Sequence, residues 1–260
     1  MKALILGAGY GTRLAKGLDE LDQSSKRKYD PLLRGKPKPL VPIAGKPLIE
    51  YLLEKIQQET AIRDVYVITN DHFYPQFKVW QASYDTSLSI KILNDGTTSN
   101  EDRLGVIGDL EYVVRTSKIH DDLLVLAGDT LFNMDFGDLV RCFQQKKKDI
   151  ISVYREDPAV LHRRGVVVTD ADGRVVQFLE KPKSPPTNLA APIAYVLMKE
   201  TLPLLSEIVS TDYSREMNLI EWIIGNNRRE VHTFHFSKRY DVGVVEDYIV
   251  AEHDFSERLR

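Results

Sequence analysis

Short apolar runs alternate with amphipathic segments through the first half of this 260-residue chain. ALIL (3–6), VYVIT (65–69), SIKIL (89–93) and LLVLA (123–127) have the length and composition of buried strands. Between them, PLIEYLLEKIQQE (47–59) and DRLGVIGDLEYVV (102–114) set apolar residues at helical spacing, with Pro47 suited to a first helical turn. Such alternation requires crossover helices on a mostly parallel sheet, which is the α/β class.

The second half changes character. VVVTDADGRVVQFLE (166–180) is two β-rich runs around an Asp-Ala-Asp-Gly turn, and APIAYVLM (191–198) is another strand. EMNLIEWIIG (216–225) has helical spacing, and a closing helix is expected from about Val245. No internal repeat or low-complexity linker interrupts the chain. With 43% hydrophobic residues, a single domain with a Rossmann-like core and a smaller β-rich lobe fits best. The expected division is a core over about 1–150, a lobe over about 151–235, and a return to the core with the closing helix over about 236–260.

A formal net charge of −3 argues against a general nucleic-acid binder. The clusters KRK (26–28) and KKK (146–148) are short and read as solvated faces. Cys142 is the only cysteine, so neither a disulfide framework nor a cysteine zinc site is expected. No run approaches the roughly eighteen apolar residues of a membrane span, and the chain opens on a strand-like run rather than an export signal. The expectation is a soluble cytoplasmic protein. The histidines show no metal-ligand spacing, and His232 and His235 read as structural positions on an alternating strand.

The first strand runs into Gly7, Gly9 and Gly11, followed by Thr12 and Arg13. A P-loop would need four residues between its glycines and then Gly-Lys-Ser/Thr. A dinucleotide fingerprint would need a glycine where Thr12 stands. Neither pattern is met. A glycine turn at the carboxyl end of a strand still lets the backbone approach a ligand and present N–H groups to anionic oxygens. Arg13, and Lys38 in GKPKPL (35–40), add cations suited to phosphate.

Taken together, G-x-G-x-G-T-R-L and P-K-P-L-x-P-x-x-G-K-P closely resemble the signature of the nucleotidyltransferases that make NDP-sugars from an NTP and a sugar 1-phosphate. Further matches occur in order along residues 1 to about 250. LAGDT (126–130) is similar to the family's strand-end Gly-Asp, with Thr130 at a variable position. FLEKP (178–182) resembles its Glu-Lys-Pro, with RRGVV (163–167) as the upstream glycine-containing strand. AYVLM (194–198) is similar to its Gly-x-Tyr strand, with Ala194 in the glycine's place. YDVGVVEDY (240–248) resembles its late Asp-x-Gly.

The resemblance implies an NMP transfer with release of pyrophosphate, dependent on Mg²⁺, with UTP or dTTP favoured. A sugar phosphate is already anionic, so it can attack the α-phosphorus without a covalent enzyme intermediate or a strong base, and catalysis is mainly positioning and charge neutralisation. The implied catalytic residues are Arg13, Lys38 and Asp129, with Asp129 and Asp241 as the hard oxygen ligands of Mg²⁺. Leu6, Ala8, Gly9, Gly11, Thr12, Asn94, Asn100 and Gly105 are the implied nucleotide contacts. Gly165, Glu180, Lys181 and Tyr195 are the implied acceptor contacts in the β-rich lobe. Lys181 would hold the acceptor phosphate and Glu180 the sugar hydroxyls. The partners are an NTP and a phosphorylated small molecule, with no nucleic acid and no membrane; self-association stays open.

Two departures stand out. Arg13 and Lys38 are 25 positions apart, farther than in hexose-acting members, and the polar insertion AKGLDELDQSSKRKYDPLLRG is expected to be a surface loop or lid, mobile over 16–36 without substrate. ILNDGTTSNEDRLG (92–105) replaces the usual base-reading segment, and Asn94 and Asn100 resemble instead cytidylyltransferases that act on small non-sugar phosphates. That reading is the alternative. A non-catalytic nucleotide- or sugar-sensing paralogue is a third, and would be expected to have lost Lys38 or a metal carboxylate.

Overall fold

A computed structural model describes residues 1–211 and 218–258. In chain order its elements begin β1 (Lys2–Leu6), α1 (Thr12–Glu20), α2 (Gln23–Leu33), β2 (Pro42–Ile43), β3 (Lys46–Pro47), α3 (Leu48–Gln57), β4 (Asp64–Thr69), α4 (Tyr74–Ser83) and β5 (Ser89–Asn94). They continue with α5 (Gly105–Ser117), β6 (Leu123–Ala127), β7 (Thr130–Phe132), α6 (Phe136–Lys146), β8 (Asp149–Arg155), β9 (Gly165–Thr169), β10 (Val175–Glu180), β11 (Leu189–Ala190) and β12 (Ala194–Leu197). The last are α7 (Pro203–Val209), α8 (Leu219–Gly225), β13 (Val231–His235), β14 (Arg239–Asp241) and α9 (Val245–Arg258). The class is α/β, as the alternation of patterns requires. No helix among the described residues is long and apolar enough to cross a membrane.

The chain divides into two units, and β1 contributes to both. The first comprises 1–4, 104–127 and 133–238. Its strands run in the order β10-β9-β11-β8-β12-β6-β1, with β13 parallel to β8. β12 is antiparallel to both β6 and β8, and residues 123–126, 150–151 and 194–197 are almost entirely buried. Runs apolar on every residue are what a strand covered on both faces needs. β9 and β10 form the expected antiparallel hairpin, with Gly165 opposite Glu180. The helix expected at 216–225 is α8, which starts at Leu219 behind an Asn218 cap; Glu216 and Met217 lie outside the described residues.

The second unit comprises 5–103, 128–132 and 239–260. Here β1 is followed by β4 and β5, which pair in parallel from Asp64↔Ser89 to Thr69↔Asn94. β7 and β14 form an antiparallel ribbon in which Thr130 faces Asp241. Of the residues expected in one core over about 1–150, 1–4, 104–127 and 133–150 fall in the first unit and the rest in the second.

The insertion expected as a loop is two helices, α1 and α2. Leu14 and Leu18 lie one turn apart on α1, Tyr29 and Leu33 one turn apart on α2, and all four are buried. Asp22 caps α2 by accepting from the Ser24 and Ser25 amides. Arg34 donates to Asp30 on its own helix and to Asp19 on α1, both at 2.7 Å. A high polar content hid an apolar stripe that is narrow but regular.

Candidate active site

β1 ends at Leu6, and the glycine turn after it is held by backbone bonds in the second unit. Gly7 N–H donates to Ile68 O at 2.9 Å and Gly128 N–H donates to Leu6 O at 2.8 Å. A Cβ at position 128 would lie 2.6 Å from Leu6 O, so only glycine permits this approach, and it fixes the residue preceding Asp129. Gly11 has φ +67° and caps α1 without any side-chain hydrogen bond. The first amides of α1 therefore have no side-chain acceptor at the cap, an arrangement suited to anionic oxygens. Fully buried Asn70 ties the turn to β4 by donating to Ala8 O at 2.8 Å and accepting from Phe73 N–H.

Lys38, on a short 3₁₀ turn, donates to Asp129 Oδ2 at 2.8 Å, with the two side chains 12% and 29% exposed. Burial works against the Asp129 charge, but the adjacent Lys38 ammonium prevails and, with Arg239 adding to it, holds the carboxyl below the ordinary carboxylate range. Asp241 is brought alongside by the β7–β14 ribbon: Val242 N–H donates to Asp129 O at 2.8 Å. Arg239 Nη1 lies 3.1 Å from Asp241 Oδ2. A Cβ built on Gly243 would be 3.2 Å from Asp241 Oδ1 and 3.7 Å from Arg13 Nη2, so Arg13 and Asp241 flank that glycine. Arg13, Lys38, Asp129 and Asp241, four of the sequence candidates, thus gather within one unit.

A cleft of about 340 Å³ adjoins the turn and is lined by Tyr10, Gly11, Thr12, Lys36, Thr98 and Asn100, among others. Its Thr98–Asn100 side is organised by carboxylates. Asp102 accepts from the amides of Thr98 and Ser99, which lower its pKa to about 2, and Asp95 accepts from Thr97 N–H at 2.7 Å. Tyr10 OH reaches Thr97 Oγ1 at 3.0 Å, so the glycine turn and this loop are joined. Asn94 is not among the lining residues. Its amide donates to Asp71 and accepts from Gly96 N–H, which fixes the amide in one orientation.

The implied acceptor residues lie in the first unit. Lys181 has φ +48°, an uncommon conformation for a residue with a side chain, and its N–H donates to Arg164 O at 3.0 Å while its ammonium is 3.5 Å from Glu180. A Cβ on Gly165 would meet the Phe178 ring at 2.5 Å. Tyr195, expected to touch the acceptor, is enclosed at 1% exposure. Burial raises its phenol pKa, its hydroxyl bonds the Asn218 side chain, and Glu180 adds to the upward shift. It sits on β12 between β6 and β8, not at an open surface. Gly105, an implied nucleotide contact, starts α5 in this unit with φ +76°.

A family model described as nucleotidyl transferase matches residues 2–258. The chain belongs to the nucleotidyl transferase family. A relative from Sulfolobus acidocaldarius, provisionally named a mannose-1-phosphate guanyltransferase, is 31% identical over 96% of this chain and 61% of its own. The glucose-1-phosphate adenylyltransferase of Desulfitobacterium hafniense is 27% identical over 99% of this chain and 65% of its own. The chain therefore spans less than two thirds of either relative. Among solved structures, a Bacillus anthracis protein in complex with a sucrose, provisionally named a glucose-1-phosphate thymidylyltransferase, superposes with a TM-score of 0.77 at 20% identity. That superposition covers 99% of this chain and 96% of the other, and the likeness is one of fold.

Within this site, sequence reasoning missed Arg239 and Asn70. Arg239 carries the signal of any basic residue at a strand start. Asn70 could have been found, because a polar amide directly after the apolar run VYVIT is placed to cap the next helical segment.

Proposed function

We propose that the chain transfers a nucleotidyl group from an NTP to a sugar 1-phosphate and releases pyrophosphate. The observation that carries this reading is the pairing of Lys38 with Asp129, in the turn before β7, and of Arg239 with Asp241, on the β14 strand that pairs with β7, all in the unit that holds the glycine turn. The relatives' names specify guanylyl and adenylyl transfer to sugar phosphates, which supports the reaction class and leaves the base to this chain's own residues.

In this reading the uncapped turn at Gly11 and the Arg13 guanidinium receive the phosphate chain, and Lys38 neutralises charge at the α-phosphate or the leaving group. An acceptor phosphate oxygen bonds to the α-phosphorus as the bond to the bridging oxygen breaks, and pyrophosphate departs with that electron pair. No protein nucleophile or proton acceptor is required. Lys181 holds the acceptor phosphate and Glu180 its hydroxyls. Among the described residues no group of three or more His, Cys, Asp or Glu converges on one point. The Asp129 and Asp241 carboxylates fit Mg²⁺, which binds through one or two carboxylates and completes its shell with water and phosphate oxygens. Bound there, it would supply further charge neutralisation on the phosphates.

A pyrimidine base is proposed, UTP or dTTP first, because the Thr97–Asn100 turn is small-residued and held rigid by Asp95 and Asp102. Asn100 lines the cleft, so CTP transfer to a small non-sugar phosphate is the competing reading. We place the reaction in the cytoplasm. The experiment is pyrophosphate release with CTP, UTP, dTTP, ATP and GTP against sugar 1-phosphates, phosphocholine and glycerol phosphate. Turnover of CTP with non-sugar acceptors alone would replace the first reading by the second. A preference for a purine nucleotide would overturn the pyrimidine assignment, and no turnover of any pair would overturn the enzyme.

A further inference from the structure

Lys38 and Asp129 come from positions 91 residues apart, and the Lys38 ammonium donates to Asp129 Oδ2 at 2.8 Å. The remaining oxygen, Oδ1, receives the Thr130 hydroxyl at 3.3 Å, a weak contact at that length. Asp241 differs. Its partner Arg239 stands two residues away on the same face of β14, so the strand itself keeps that guanidinium beside its carboxylate. Lys38 sits on a short turn with a long unbranched side chain that can re-aim its ammonium without moving the backbone.

We propose that Lys38 is a place-holder on Asp129. It occupies the carboxylate until nucleotide phosphates draw the ammonium away, and only then is Asp129 free for a divalent cation. The inference rests on the proposed nucleotidyl transfer for its nucleotide. The exchange moves no proton: a Lys⁺–carboxylate pair becomes a Lys⁺–phosphate pair. Charge alone carries two consequences. With Lys38 and Arg239 in place, the two carboxylates are neutralised, so a bare cation finds little attraction. Once phosphate takes Lys38, cation and nucleotide favour each other's binding, and this coupling is reciprocal.

The test uses Mn²⁺ alone, titrated into the whole protein without nucleotide and followed by the EPR signal of the free ion. Lys38→Met should bind Mn²⁺ at least about tenfold more tightly than wild type, the order expected when one contacting charge is removed. Adding Asp129→Asn to Lys38→Met should abolish that gain. Lys38→Gln carries the same expectation and covers the case in which the methionine variant fails to fold. Mn²⁺ affinity unchanged in Lys38→Met and Lys38→Gln would overturn the proposal, and so would a gain that survives Asp129→Asn. Pyrophosphate release by wild type is measured separately. Its absence would remove the reaction while the metal titration still decided the place-holder.

Discussion

Arg239 and Asp241 stand two residues apart on β14, on the same face, with Nη1 3.1 Å from Oδ2 and the arginine side chain 9% exposed. A guanidinium so enclosed is a fixed part of the site, and its removal takes a charged partner from the carboxylate. Arg239→Gln should lower stability by about 2 kcal/mol, the range for losing a hydrogen bond to a charged group, and Arg239→Lys should recover part of it. Urea unfolding decides: a change below about 0.5 kcal/mol, the ordinary surface value, would mean that Arg239 holds nothing.

The two carboxylates themselves make a sharper demand. Asp129→Asn and Asp241→Asn should each reduce turnover by at least about a hundredfold, the order for losing a main charge-stabilising group, with the fold intact by circular dichroism. Near-wild-type activity in either variant removes that residue from the reaction.

The cations should separate kinetically. Lys181 is proposed to hold the acceptor phosphate, so Lys181→Ala should mainly raise the acceptor's KM. Arg13→Ala and Lys38→Ala should mainly lower kcat, because their charge matters most as pyrophosphate leaves. Equal effects on both parameters in all three variants would show the roles to be wrongly divided.

Those residues were legible because ordered motifs resembling one family's signature mark them, among them a lysine between prolines and an aspartate at a strand end; the 2.6 Å approach that requires glycine at position 128 is seen only in the structure. The strands were legible for a related reason, since residues 123–127 are apolar throughout and a strand covered on both faces requires that. The rest depends on partners that sequence does not reveal. Asn94 reads as a base contact, and sequence does not show that its amide also holds Asp71 and the Gly96 N–H. Tyr195 reads as a ligand contact, and sequence does not show that it is buried with its hydroxyl bonded to Asn218. The insertion reads as loop by composition, yet Leu14 with Leu18 and Tyr29 with Leu33 carry the helical period.

The Thr98–Asn100 loop depends on acid–base state. Backbone amides of Thr98 and Ser99 bring the Asp102 pKa down to about 2. A carboxyl whose folded pKa is depressed contributes stability above its unfolded value, near 3.9, and loses it as pH falls through the folded value. The loop should therefore hold from neutral pH to about 4 and open between there and about 2. Asp102→Ala should open it at any pH, seen as faster hydrogen exchange at residues 98–100 and weaker nucleotide binding. Unchanged exchange in that variant would show that the loop is held by other contacts.

The insertion gives the clearest contest between composition and packing. A mobile lid would exchange its amide hydrogens rapidly without nucleotide. Two helices joined through Arg34 to Asp19 and Asp30, each burying an apolar pair, should not. Amides of α1 and α2 should be protected in the free protein, and nucleotide should add protection chiefly near Lys36 and Gly11, which line the cleft. Leu18, with no exposed surface, sets the scale. Leu18→Ala should cost about 2–4 kcal/mol, as for other buried leucines, and should release α1 and α2 together because they pack on each other. Rapid exchange throughout 16–33 in the wild-type protein, ending only when nucleotide binds, would restore the lid and overturn the packed-helix account.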